Sequence, residues 1–276
     1  MTEACLDALH RFDRDTGVTA LGGGVFEGRM DRGWWIVRGP NGGYVAAVLL
    51  RALTQALGDP ARAPRSLTVH YTAPPAEGPV RIETTVERAG RSLTTLSARM
   101  TQEGRLLALA LAAFSLPRTG PELRHARMPE APSPEHCAPM APPGAPRLPL
   151  HERYETRLAV GGRPLSGAPE AVCGGWIRMA EPRVADALAV AAFTDALPPA
   201  PYTWASPAAP LGQVPTIDLT IHFRCTLPLA GAKAGDFLLA VFRAREGREG
   251  FFEEDGEIWS RDGVLVAQSR QLAILS

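Results

Sequence analysis

Paired cysteines are missing from this chain. Four cysteines occur, Cys5, Cys137, Cys173 and Cys225, but they lie far apart and none forms a Cys-x-x-Cys pair. Neither a zinc site nor a disulfide framework is therefore indicated, and no metal is expected. Charge imbalance is missing too. With 29 basic and 29 acidic residues the formal net charge is zero, which excludes the electrostatic footprint of a nucleic-acid binder. Long apolar runs are absent: stretches such as Leu106 to Phe114 stop short of a membrane span. Met1 to Asp7 is acidic and lacks the basic-then-apolar pattern of a secretory signal, so a soluble, cytoplasmic protein with no membrane partner is expected. No Gly-x-Ser-x-Gly elbow occurs, and a serine-hydrolase route finds no support.

What the chain does contain is a repeat. Ser66-Leu67-Thr68-Val69-His70-Tyr71 in the first half reads like Asp218-Leu219-Thr220-Ile221-His222-Phe223 in the second. Each copy follows an apolar helical stretch and precedes strands that end in Gly104-Arg105-Leu106-Leu107-Ala108 or Gly263-Val264-Leu265-Val266-Ala267. Two copies in the same order predict a duplicated α+β unit, packed as an internal pseudo-dimer. From Pro117 to Pro149 prolines recur every few residues, a composition that forms neither helix nor sheet readily. The expected division is residues 1–116, a linker over 117–150, and residues 151–276.

In the first copy Trp34 to Val37 reads as a short β-segment. Gly39-Pro40-Asn41-Gly42-Gly43 then supplies turn chemistry, with Asn41 as a helix N-cap. Tyr44 to Leu57 is apolar on nearly every face and Gly58 is placed to terminate it. Strands are predicted over Ser66–Tyr71, Val80–Arg88, Ser92–Gln102 and Arg105–Ser115, with hairpin turns at Gly90-Arg91 and Glu103-Gly104. The last strand is almost wholly apolar and implies burial on both faces or a central position. In the second copy Val172 to Arg178 reads as an edge strand and Val184 to Leu197 as the helix, stopped by Pro198-Pro199. Thr216–Arg224, Asp236–Glu246, Phe251–Arg261 and Val264–Leu275 complete the sheet. One helix ahead of several antiparallel strands is the order expected when each sheet wraps its own helix.

These residues resemble a known family. The helix after Gly-Pro-Asn-Gly-Gly-Tyr, Gly90-Arg91-Ser92, Gln102 to Arg105, Thr194-Asp195, Thr216-Ile217-Asp218 and Asp262 to Ala267 are similar to the double-hotdog acyl-CoA thioesterases of the thioesterase II type. The resemblance implies a double hotdog, hydrolysis of an acyl-CoA substrate within fatty acid metabolism, and no cofactor. It also implies an aspartate, a threonine and a glutamine in the second hotdog that hold the hydrolytic water, here Asp195, Thr216 and Gln271. Members often assemble further, so a homo-oligomer is among the expectations.

The repeat bears on the same residues. Aligning the copies puts Gln55 opposite Asp195, Pro64 opposite Thr216 and Ala112 opposite Gln271, so the first copy lacks the trio and a single active centre in the second half is expected. Plainer readings stand beside these. Asp195 in the last helical turn, facing the negative end of the helix dipole, also fits a solvated turn before Pro198. Thr216 also fits simple β-propensity, and Gln271 an exposed strand face. Gly42 and Gly43 could offer backbone N–H groups to a thioester carbonyl or a coenzyme A phosphate, or serve a tight turn alone. The duplicated His70 and His222 argue for a shared packing role. Two other functions stay open: a hotdog hydratase or dehydratase, which needs a histidine paired with an acid, and a non-catalytic acyl-thioester binding protein.

Overall fold

A computed structural model of the chain describes residues 9–141 and 147–276. Cys5 and the acidic Met1 to Asp7 stretch lie outside the described residues. The first half comprises α1 (Arg11–Asp15), β1 (Val18–Gly22), β2 (Val25–Met30), α2 (Gly42–Leu57), β3 (Ala63–Tyr71), β4 (Gly78–Ala89), β5 (Leu93–Gln102) and β6 (Arg105–Ser115). The second comprises β7 (Tyr154–Gly161), β8 (Ala171–Met179), α3 (Ala187–Phe193), α4 (Pro201–Trp204), β9 (Thr216–Phe223), β10 (Leu238–Ala244), β11 (Gly247–Arg248), β12 (Phe251–Ser260) and β13 (Leu265–Ile274). None of the described helices is long and apolar enough to cross a membrane.

The strands join in one antiparallel sheet, in the order β1-β2-β4-β5-β6-β3-β9-β13-β12-β10-β8-β7. The two halves meet at β3 and β9. There Ser66 pairs with His222, Thr68 with Thr220 and His70 with Asp218. Because the repeat matches Ser66 to Asp218 and His70 to His222, this register is two-fold: each strand sees its own copy reversed, about a centre at Thr68 and Thr220, whose hydroxyl oxygens lie 3.1 Å apart. The expected pseudo-dimer is present, and the fold is a double hotdog. Each half's strands lie ahead of and around its own helix as expected, the two sheets are continuous through β3 and β9, and the two helices pack on each other.

Helix α2 forms as its sequence predicts. The Asn41 side chain accepts from the Tyr44 N–H, and Gly58, at φ 64°, closes the helix in the left-handed region. Tyr44 to Leu50, Ala52 and Leu53 are all buried, which an all-round apolar helix requires. The second helix is shorter than the expected Val184 to Leu197. Asp186 caps it by accepting from the Ala189 N–H, and Asp195 lies two residues past its end.

Other expectations need correcting. Trp34 to Val37 is not a strand: Asp31 accepts from the Gly33 N–H and winds Arg32–Trp34 into a 3-10 turn. Strand β8 is not an edge, since β7 pairs outside it. The hairpin of β1 and β2 extends the opposite end. Strand β6 is central, between β5 and β3, but Leu109 and Leu111 on its outer face are exposed. Glu103 and Gly104, both at positive φ, form the expected hairpin turn.

The described part of the proline-rich segment is largely irregular, yet it packs. It crosses the outer face of the second half, where Met128, Ala131 and Cys137 cover Trp176, Leu239, Val241 and Trp259. Trp176 Nε1 donates to the Pro132 carbonyl at 2.8 Å, and Arg261 grips Glu135 through both guanidinium nitrogens at 2.8 and 2.9 Å. The apolar outer face of this sheet is therefore covered by the chain's own connector.

Candidate active site

Asp195 is pulled away from its own helix. Its Oδ2 accepts from Asn41 Nδ2 at 2.9 Å and from the Gly43 N–H at 3.1 Å, and its backbone carbonyl accepts from Asn41 Nδ2 at 2.5 Å. The carboxylate thus sits at the N-terminus of the long helix α2, where the dipole favours negative charge. This corrects the expected unfavourable placement in the last turn of the second helix. Gly42 and Gly43 permit the approach: a Cβ on Gly42 would lie 2.9 Å from Asp195 Oδ2, and one on Gly43 would run into the Ala192 carbonyl oxygen. The Gly43 N–H is consequently committed to Asp195, which is neither the substrate contact nor the turn alone that the sequence offered for it. Burial raises the Asp195 carboxyl to about 6, with the Gly43 and Gly42 amides opposing the rise.

Thr216 and Gln271 meet. Strands β9 and β13 slip register between Leu272 and Ala273, leaving Ile217 as a bulge. The extra residue turns Thr216 off the outer-face alternation of Asp218, Thr220 and His222 and toward Gln271. Its hydroxyl donates to Gln271 Oε1 at 2.7 Å. Gln271 is buried, which removes the exposed-face reading, and its Nε2 donates to Glu254 Oε1 at 2.5 Å. The other Glu254 oxygen accepts from the Ala200 N–H, just before α4, at 2.5 Å.

Glu254 escaped the sequence reading. Burial lifts its carboxyl to about 7; the Ala200 and Gln271 donors oppose this, and the charges of Asp195 and Glu253 add to it. The Asp195 charge also reaches two tyrosine hydroxyls, Tyr71 and Tyr154, both raised well above the ordinary range chiefly by burial. Tyr71 donates to the Gly42 carbonyl at 2.8 Å. The buried Tyr154 hydroxyl has no hydrogen-bond partner among the described residues. Asp195 makes no direct hydrogen bond to Thr216 or Gln271 among the described residues; the link between the two groups is electrostatic, through Glu254.

The first half has no such cluster. Glu254 pairs with Gln271 across the ladder as Leu96 pairs with Ala112, and both first-half residues are buried. Pro64, beside a matching bulge at Arg65, stands for Thr216. Matching the N-caps Asn41 and Asp186 puts the buried Leu50 opposite Asp195, in place of the exposed Gln55. His70 and His222 are both exposed.

A cleft of about 620 Å³ comes near this cluster only through chain neighbours; Asp195, Thr216, Gln271, Glu254 and Tyr154 do not line it. Pro201, next to Ala200, and Phe252, two residues from Glu254 on the same inward face, belong to its wall, with Trp204, Ala171 and Leu275. Arg243 and Arg245 on the wall already face Glu257 and Asp255, so the cleft carries no free excess of positive charge from them.

The family of acyl-CoA thioesterase N-terminal domains matches residues 31–115, and that of the C-terminal domains residues 134–275. Among solved structures, a hot dog-fold protein of unknown function from Alicyclobacillus acidocaldarius is 31% identical, covers 98% of this chain and 99% of its own, and superposes with a TM-score of 0.87. A presumed thioesterase II from Thermobifida fusca is 27% identical, with 98% of each chain covered and a TM-score of 0.82. An uncharacterized protein of Mycobacterium bovis is 28% identical over 97% of this chain and 96% of its own. Both halves match in their proper order, and the chain belongs to the acyl-CoA thioesterase family in its double-hotdog, thioesterase II form.

Proposed function

We propose that the protein hydrolyses acyl-CoA thioesters by direct attack of water, with Asp195 as general base. The observation that carries this reading is the Asp195 carboxylate, fixed by Asn41 and Gly43 and raised to about 6 near a chain of half-buried Thr216 and buried Gln271 and Glu254. A carboxylate of that basicity is ionised at neutral pH yet accepts a proton readily. Asp195 takes a proton from the water, Thr216 receives the second O–H, and the water oxygen forms a bond to the acyl carbon. The C–S bond then breaks, and the departing sulfur takes up the proton held by Asp195, which returns the carboxylate to its ionised form.

The developing oxyanion needs a donor. Since the Gly43 N–H is engaged by Asp195, the Tyr154 hydroxyl, which has no hydrogen-bond partner among the described residues, is assigned as that donor. A hydratase requires a histidine in the site, and both duplicated histidines face solvent. Release of free thiol from short, medium, long and aromatic acyl-CoAs is the test. Turnover of at least one class is expected; binding across the panel without thiol release would leave an acyl-thioester binding protein.

A further inference from the structure

The proposed reaction leaves Glu254 without a task. A carboxylate on the inner face of a sheet is costly to bury, and the fold does not call for it: at the same ladder position in the first half stands Leu96. A residue that opposes stability, and that the duplicate unit replaces with leucine, belongs to the site.

Its geometry says what it does there. An ionised carboxylate only accepts, so the contacts at Oε1 and Oε2 require Gln271 to present its NH₂ group and Ala200 its N–H. With its nitrogen committed, Gln271 can show Thr216 only a carbonyl oxygen. Thr216 must then give its single proton to Gln271 and can only accept from anything else.

We infer that Glu254 is a positioning residue that sets the direction of this hydrogen-bond chain and so makes Thr216 an acceptor toward the attacking water. With Thr216 and Asp195 both accepting, the two water protons point at protein and the oxygen lone pair is left for the acyl carbon. The inference rests on the hydrolase reading above. A neutral Glu254 removes the constraint, because its O–H can donate to Gln271, turn the amide over and make Thr216 a donor. The groups that act on this titration are Asp195, Glu253 and the buried Cys173 thiol, itself raised chiefly by burial and also by the Glu254 charge.

The test is Glu254→Gln, which keeps size but can satisfy the Ala200 N–H only by turning its own NH₂ toward Gln271. The chain then runs backward. A fall in kcat of about a hundredfold is expected, with KM little changed, and Thr216→Val added to Glu254→Gln should cost far less than Thr216→Val alone. In nitrogen-labelled protein the Gln271 side-chain amide signal should titrate near neutral pH in the wild type and stay fixed in Glu254→Gln. Unchanged kcat, or equal costs of Thr216→Val in both backgrounds, would overturn the role. If the wild type released no thiol, the hydrolase reading would fall by itself, while a Gln271 signal that ignores pH would refute the Glu254 constraint independently.

Discussion

Replacing Asp195 with asparagine separates function from stability in opposite directions. The side-chain oxygen of the introduced amide can still accept from the Gly43 N–H and Asn41 Nδ2, so the local architecture should persist. The base is gone, and kcat should fall by about 10²–10⁴-fold. Stability should rise. Burial moves the carboxyl from an ordinary 3.8 to about 6 in the folded protein, so the unfolded chain ionises first as pH increases. Below both values the residue costs nothing; between them wild-type stability declines with pH, and above about 6 the full penalty applies. A displacement of this size corresponds to about 3 kcal/mol, reduced to about 2 kcal/mol because Asp195 keeps part of its surface in water. Denaturant unfolding at about pH 8 should show the variant more stable by that amount, and at about pH 3 no difference. A variant with near-wild-type turnover, or one less stable than wild type at the higher pH, would refute the reasoning.

Gly43→Ala drives a methyl group into the Ala192 carbonyl and should cost about 1–3 kcal/mol in thermal or denaturant unfolding, with a loss of thiol release as Asp195 is displaced. Tyr154→Phe removes a buried hydroxyl that has no partner among the described residues; stability should increase by about 1 kcal/mol while kcat falls, and an unchanged kcat would remove Tyr154 from oxyanion binding. In the wild type, kcat/KM should climb with pH through about 6 and on through about 7, as Asp195 and then Glu254 lose their protons; a profile flat across that whole range would exclude Asp195 as the base.

Much of the fold was legible because local rules and packing agreed. The apolar stretch ending at Gly58 could only be an enclosed helix, and the alternation of Ser66 to Tyr71 and Asp218 to Phe223 marked paired strands. Trp34 to Val37 misled because a side-chain cap from Asp31 outweighed the β-propensity of its residues. The candidates Asp195, Thr216 and Gln271 came from the resemblance, with the repeat as a separate check. The partner of Asp195 was not, because Asn41 and Gly43 belong to the other half of the chain and meet it only across the pseudo-dimer. Glu254 carried a signal that went unused: if Phe252 and Ile258 face the core, parity puts Glu254 there too and leaves Glu253 and Asp255 outside. The Ile217 bulge that swings Thr216 inward has no such signature, since it depends on how two strands slip past each other.

Direct attack of Asp195-activated water on the acyl carbon is open to one decisive measurement, a single turnover in water enriched in heavy oxygen. The released acid should carry one heavy oxygen atom, and none should enter the protein. Unlabelled acid together with heavy oxygen in the Asp195 carboxylate would show that the carboxylate itself attacks, and would contradict the general-base role.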